Sequence, residues 1–138
     1  MSEIVTIPTE QDMLDFGVRL SQRLAQGGVV YLSGDLGVGK TTLVRGLLRA
    51  LGHEGRVKSP SYGLIESYKL EDLSVHHLDL YRLGDAEEIE YLGIADLLDD
   101  NSLLLVEWAE KGGSYLPLAT MKIRIQDLPD HSRHLEIS

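Results

Sequence analysis

Eight consecutive residues, Gly34-Asp35-Leu36-Gly37-Val38-Gly39-Lys40-Thr41, satisfy the pattern G-x-x-x-x-G-K-[ST] and supply the parts of a polyphosphate site. Gly34, Gly37 and Gly39 open backbone conformations that a Cβ closes. Successive N–H groups, those of Asp35, Leu36 and Val38 among them, then turn inward around a β-phosphate. Lys40 reaches the β- and γ-phosphates, and the Thr41 hydroxyl is placed to ligate Mg²⁺, with Thr42 next at the helix start. A glycine-rich turn without a ligand can share this pattern by chance, so the flanking residues have to decide. Upstream, Val29-Val30-Tyr31-Leu32-Ser33 is a short β-prone run; downstream, Thr42 to Leu51 is helical in character and closed by Gly52. Strand, loop and helix come in the order that aims a helix N-terminus at the phosphates.

Such a loop needs acids at strand ends to hold the metal, directly or through water, and to orient attacking water. Asp79 follows Val75-His76-His77-Leu78, and Glu107 follows Leu103-Leu104-Leu105-Val106. Glu107 fits better, because an unbroken apolar run marks a strand buried on both faces, and ligands gather at the carboxyl ends of such strands. An exposed strand-terminal acid would look the same, most of all at Asp79. His76 and His77 are adjacent and so face opposite sides of a strand, the wrong geometry for a shared metal; both read as ordinary strand residues. Trp108, the sole tryptophan, reads first as core packing, with lining of the site or of a partner surface as the alternative. Ser59-Pro60-Ser61-Tyr62 sits where nucleotide switches lie, although an unremarkable turn uses the same residue types. The lack of an Asn-Lys-x-Asp signature argues against guanine, and Ser132-Arg133 offers a late nucleotide contact.

The elements that must position these groups are legible in outline. Ile4 to Ile7 reads as a first strand stopped by Pro8. Thr9 caps a helix from Glu10 to about Gln26 whose Met13, Phe16, Leu20 and Leu24 share one face, with Gly27-Gly28 ending it. Residues 53 to 61 form a polar connection. Tyr62 to Lys69 and Leu73 to Leu80 pair as a hairpin about Glu71-Asp72. Asp85 and Glu88 read as a capping box opening a short helix that ends near Gly93, followed by a second around Ala95 to Leu98. Ser102 to Glu107, Met121 to Gln126 and Leu135 to Ile137 complete the strands.

At 138 residues the chain reads as one domain, and hydrophobic and charged fractions of 43% and 25% fit a soluble globular protein. Thirteen basic against 22 acidic residues leave a net charge of −9, which disfavours autonomous nucleic-acid binding. Arg45, Arg49, Arg56 and Lys58 lie close in sequence, but as solvated helix and loop charges. With no cysteine, disulfides, thiolate metal sites and cysteine nucleophiles are excluded. No apolar run reaches membrane-spanning length and the N-terminus lacks a signal peptide's plan, so a cytoplasmic protein is expected.

In combination, the Gly34–Thr42 loop, Val57-Lys58-Ser59-Pro60-Ser61-Tyr62, His77-Leu78-Asp79-Leu80-Tyr81-Arg82-Leu83 and Val106-Glu107-Trp108 resemble the TsaE (formerly YjeE) family. These are bacterial ATPases of tRNA threonylcarbamoyladenosine synthesis. The similarity extends to Glu87-Glu88 and Leu92-Gly93-Ile94. It implies an α/β, P-loop NTPase-like three-layer fold with a mixed parallel/antiparallel central sheet. It implies slow hydrolysis with ATP or ADP and Mg²⁺ as cofactors, and docking on the TsaB–TsaD heterodimer, where TsaD transfers the threonylcarbamoyl group. By position, Lys40 would bind phosphates, Thr41 and Glu107 would serve the metal, Asp79 would lie near the γ-phosphate, and Glu10 near the adenine. The family's Ser-Pro-Thr-Tyr-Thr stands here as Ser59-Pro60-Ser61-Tyr62-Gly63, which loses one hydroxyl. Rival readings are a small-molecule P-loop kinase, which would need an arginine-bearing lid, and a non-catalytic nucleotide-dependent regulatory module.

Overall fold

The structure, a computed structural model, describes residues 2–34, 39–58, 60, 64–98 and 101–138. Among these, seven strands form one sheet in the order β1-β7-β6-β2-β5-β4-β3. They are β1 (Glu3–Ile7), β2 (Gly28–Ser33), β3 (Ile65–Lys69), β4 (Ser74–Asp79), β5 (Ser102–Glu107), β6 (Met121–Asp127) and β7 (Arg133–Ile137). β6, β2, β5 and β4 run parallel, while β3 pairs antiparallel with β4, β7 with β6, and β1 with β7. The sheet is therefore mixed, as expected, with a parallel centre whose carboxyl ends share one edge.

Helices α1 (Glu10–Leu24) and α2 (Lys40–Ala50) cover one face of this sheet. Their buried Met13, Phe16, Leu20, Leu43 and Leu47 join Val30, Val75, Leu103 and Leu105 in the larger apolar cluster. Short helices α3 (Glu88–Tyr91) and α4 (Ile94–Leu97), and two 3₁₀ turns at Ala109–Lys111 and Gly113–Tyr115, lie toward the other. There Ile89, Ile94 and Leu116 pack on Val29, Leu78, Leu104 and Val106. β5 divides its side chains between the two clusters, which explains its unbroken apolar sequence: every residue from Ser102 to Glu107 is buried. Each leucine buried this way contributes about 2 kcal/mol.

Thr9 caps α1 as expected, its hydroxyl accepting from the Asp12 N–H at 3.1 Å. α2 ends in a left-handed Gly52, whose N–H donates to the Arg49 carbonyl while the His53 N–H reaches Leu48, so the last carbonyls are satisfied. The two helices touch at backbone distance. A Cβ on Gly46 would lie 2.5 Å from the Leu14 carbonyl oxygen, and one on Gly17 2.7 Å from that of Leu43. The expected capping box at Asp85 is not formed. Asp85 Oδ1 accepts from the Glu87 N–H at 3.0 Å in a tight turn, and α3 starts at Glu88 without a side-chain cap. No helix among the described residues is long and apolar enough to cross a membrane.

Candidate functional site

β2 delivers the chain to Gly34 and α2 starts at Lys40, the first residue after a left-handed Gly39. Asp35, Leu36, Gly37 and Val38 lie outside the described residues, as do Ser59, Ser61, Tyr62 and Gly63 of the expected switch. Lys40 is 5% exposed, and its Nζ donates to the Gly34 carbonyl at 2.8 Å, so the lysine folds back across its own loop. The same ammonium stands 3.4 Å from Glu107 Oε1 and 4.9 Å from the centre of the Trp108 ring. Thr41 and Thr42 follow on the first turn of α2, Thr41 exposed and Thr42 half-buried.

Strand register brings Glu107 to this lysine and sets Asp79 beside Glu107. Leu32 of β2 aligns with Glu107 of β5, and Glu107 with Asp79 of β4, so three parallel strands end level. The two oxygens of Glu107 have divided duties: Oε1 faces Lys40, and Oε2 lies 2.6 Å from His77 Nε2. Burial pushes the Glu107 carboxyl up, but the hydrogen bond with His77, the charge of that imidazole when protonated, and the charge and hydrogen bond of Lys40 together hold the group below the ordinary glutamate value. Asp79 is half-buried, and its Oδ1 accepts from the Tyr81 N–H at 3.0 Å where the chain turns away from β4.

Two readings from the sequence change here. His76 and His77 do face opposite sides, and His76 meets Ser67 Oγ at 2.8 Å on the far face. His77, however, is not an ordinary strand residue: it is 1% exposed and bonded to the principal acid of the site. The signal was its spacing from Asp79, since residues two apart on a strand share a face. Trp108 serves both of its proposed purposes. It packs against the second cluster, and it stands in a left-handed conformation (φ 60°) with its ring beneath Lys40 and 5.0 Å from that of Tyr81.

Beyond Gly39 lies a cleft of about 290 Å³ lined by Thr9, Glu10, Met13, Thr42, His131 and Arg133. Pairing of Ile7 with Arg133 across β1 and β7 brings Glu10 and Arg133 together. Both side chains are engaged, Glu10 with Arg45 at 3.1 Å and Arg133 with Asp127 at 2.5 Å. His131, which the sequence did not single out, enters this cleft from a left-handed turn (φ 71°).

The described residues thus combine a cation at a helix N-terminus, two level carboxylates and an adjoining cleft the size of a small ligand, an arrangement suited to a small charged ligand. No group of three or more His, Cys, Asp or Glu among them is arranged as a protein-only metal cage. Residues 7–135 match the family model described as threonylcarbamoyl adenosine biosynthesis protein TsaE. A relative from Haemophilus influenzae, named tRNA threonylcarbamoyladenosine biosynthesis protein TsaE, is 46% identical over 95% of this chain and 85% of its own. One of the same name from Rickettsia bellii is 34% identical over 94% and 90%. The crystal structure of Bacillus subtilis YdiB superposes with a TM-score of 0.79 at 26% identity, covering 99% of this chain and 84% of that one. With the family model spanning nearly its whole length, the chain belongs to the TsaE family.

Proposed function

We propose that this protein binds MgATP between β2 and α2, hydrolyses it slowly, and does so for tRNA threonylcarbamoyladenosine synthesis together with the TsaB–TsaD heterodimer. The observation that carries this reading is Lys40, a buried ammonium at the first position of a helix, held between a loop carbonyl and Glu107. Burying such an ion pair rarely adds net stability over apolar packing, so the arrangement is better understood as a site than as a staple.

Thr41 and Glu107 offer hard oxygen donors, too few for a complete protein cage, which suits Mg²⁺ sharing its shell with phosphates and water. When bound, the metal neutralises charge developing on the transferred phosphoryl group. Lys40 exchanges the Gly34 carbonyl for phosphate oxygens, and Asp79, beside Glu107, orients the attacking water. Glu10, Thr42 and Arg133 line the cleft for the adenosine moiety. The net charge of −9 leaves tRNA contact to the partner proteins, and hydrolysis resets the assembly between cycles.

Phosphate release measured with and without TsaB–TsaD tests the reading; a rate that rises with the heterodimer is expected. Labelled phosphate appearing on a small molecule would make the protein a kinase, and binding without release a regulatory module. Many threonylcarbamoyl transfers supported by a non-hydrolysable ATP analogue would refute the resetting step.

A further inference from the structure

We infer that His77 is the positioning residue of Glu107, its Nε2–H holding Oε2 so that Oε1 alone is presented to Lys40. The inference rests on the nucleotide reading of the site, because it concerns how the metal-serving acid is held. Three observations carry it. His77 and Asp79 share one face of β4, and Glu107 faces them from β5, so the contact is fixed by strand register and not by a mobile side chain. His77 is 1% exposed, and its Nε2 lies 2.6 Å from Oε2, within hydrogen-bond distance. The other ring nitrogen, Nδ1, is buried and meets no partner among the described residues.

The last point decides the tautomer. A ring protonated on both nitrogens would bury an N–H donor with nothing among the described residues to accept it. A ring protonated on Nδ1 alone would turn the Nε2 lone pair toward a carboxylate that Lys40, 3.4 Å from Oε1, keeps ionised. Only the Nε2–H form gives Glu107 a donor and leaves no buried hydrogen unpaired. With one oxygen occupied in this way, Glu107 cannot rotate to offer both oxygens to a cation, and its remaining oxygen is fixed for a single bond. Partners that orient a ligating carboxylate in this manner tune metal affinity without touching the metal.

The test has two parts. Long-range ¹⁵N–¹H correlation spectra of the nucleotide-free protein, with His77 assigned by its loss in His77→Leu, should show hydrogen on Nε2 and not on Nδ1. Calorimetric titration of Mg²⁺ into the ADP-bound protein should show His77→Leu weakening the metal by about 10–100-fold. His77→Gln, whose side-chain amide keeps a donor near the Nε2 position, should restore most of that loss. In turnover, His77→Leu should lower kcat and leave the KM for ATP little changed. An Nδ1–H tautomer, or Leu and Gln variants both equal to wild type, would overturn the inference. Should His77→Leu not fold, the wild-type tautomer and the Gln variant still decide it. Wild-type protein that shows no Mg²⁺-dependent ADP binding would remove the nucleotide reading and this inference together, whereas normal wild-type binding with unaffected variants removes the inference alone.

Discussion

Lys40 Nζ and Glu107 Oε1 face each other at 3.4 Å across the start of α2 and the end of β5, with 5% and 6% of their side chains exposed. The amine also donates to the Gly34 carbonyl, so the protein's own oxygens station it between the end of β2 and the start of α2. Lys40→Met should therefore do two things. It should abolish tight MgADP binding in a calorimetric titration, and it should cost the nucleotide-free protein roughly 3–5 kcal/mol in urea unfolding, because Glu107 is left as a buried charge with one partner fewer. Adding Glu107→Gln should recover part of that cost, giving a coupling above about 0.5 kcal/mol in the double-mutant cycle. Additive losses would mean that the two groups do not sense each other.

Among the described residues, the Asp79 side chain is held through one oxygen, Oδ1, which accepts from the Tyr81 N–H. Asparagine can keep that bond, so Asp79→Asn should fold normally. The lost negative charge should slow ATP turnover by about 10²-fold, the scale of a misoriented water or an absent proton acceptor. ADP affinity should change far less. A variant that loses ADP binding while its rate at saturation is kept would make Asp79 a binding residue.

Gly46 and Gly17 set the separation of α1 and α2. In a solvent-exposed helix, Gly→Ala stabilises by about 1 kcal/mol. At Gly46 the added Cβ would stand 2.5 Å from a backbone oxygen of Leu14, an atom that cannot move without its whole helix. Gly46→Ala should thus destabilise by about 1–3 kcal/mol, the ordinary cost of overpacking. It should also weaken ADP binding, because α1 carries Glu10 to the cleft. Gly52 is a useful contrast: nothing lies within 4 Å, but its φ of 111° is one that side chains rarely adopt, so Gly52→Ala should destabilise by about 1–3 kcal/mol through backbone strain alone and leave ADP binding unchanged. Equal losses of ADP affinity in the two variants would refute the close-contact explanation.

What could be read from the sequence was governed by local period and spacing. The apolar face of α1 at Met13, Phe16, Leu20 and Leu24 and the buried strand leading to Glu107 each declare themselves within a few turns or strand residues. Contacts between distant segments did not. Glu10 and Arg133 were both candidates, but that they line one cleft depends on β1 pairing with β7, a relation no local pattern contains. His77 declares its role only beside Asp79, two residues on and on the same face of β4, and not beside its neighbour His76, which faces away. Asp85 and Glu88 had the spacing of a capping box, yet the backbone turn at Glu87 takes up the Asp85 oxygen first.

Asp130 governs the turn that carries His131 and Arg133 into the cleft. Its Oδ1 accepts from the Ser132 hydroxyl at 2.5 Å and from the Ser132 N–H at 3.1 Å, while Leu128 and Ser132 close the turn through their backbones. The side-chain bond from Ser132, followed by its backbone bond, holds the Asp130 carboxyl below the ordinary aspartate value. The sign follows directly. A carboxyl with a depressed value in the folded state stabilises the fold above the unfolded-state value, and that contribution disappears as pH falls through the folded value. Carbon-detected titration should place Asp130 below a free aspartate, and hydrogen exchange at the Ser132 amide should accelerate as Asp130 protonates. In Asp130→Ala the amide should already exchange fast at neutral pH, with shifted His131 and Arg133 resonances. An Asp130 that titrates at or above the free value would show that the carboxylate does not hold this turn.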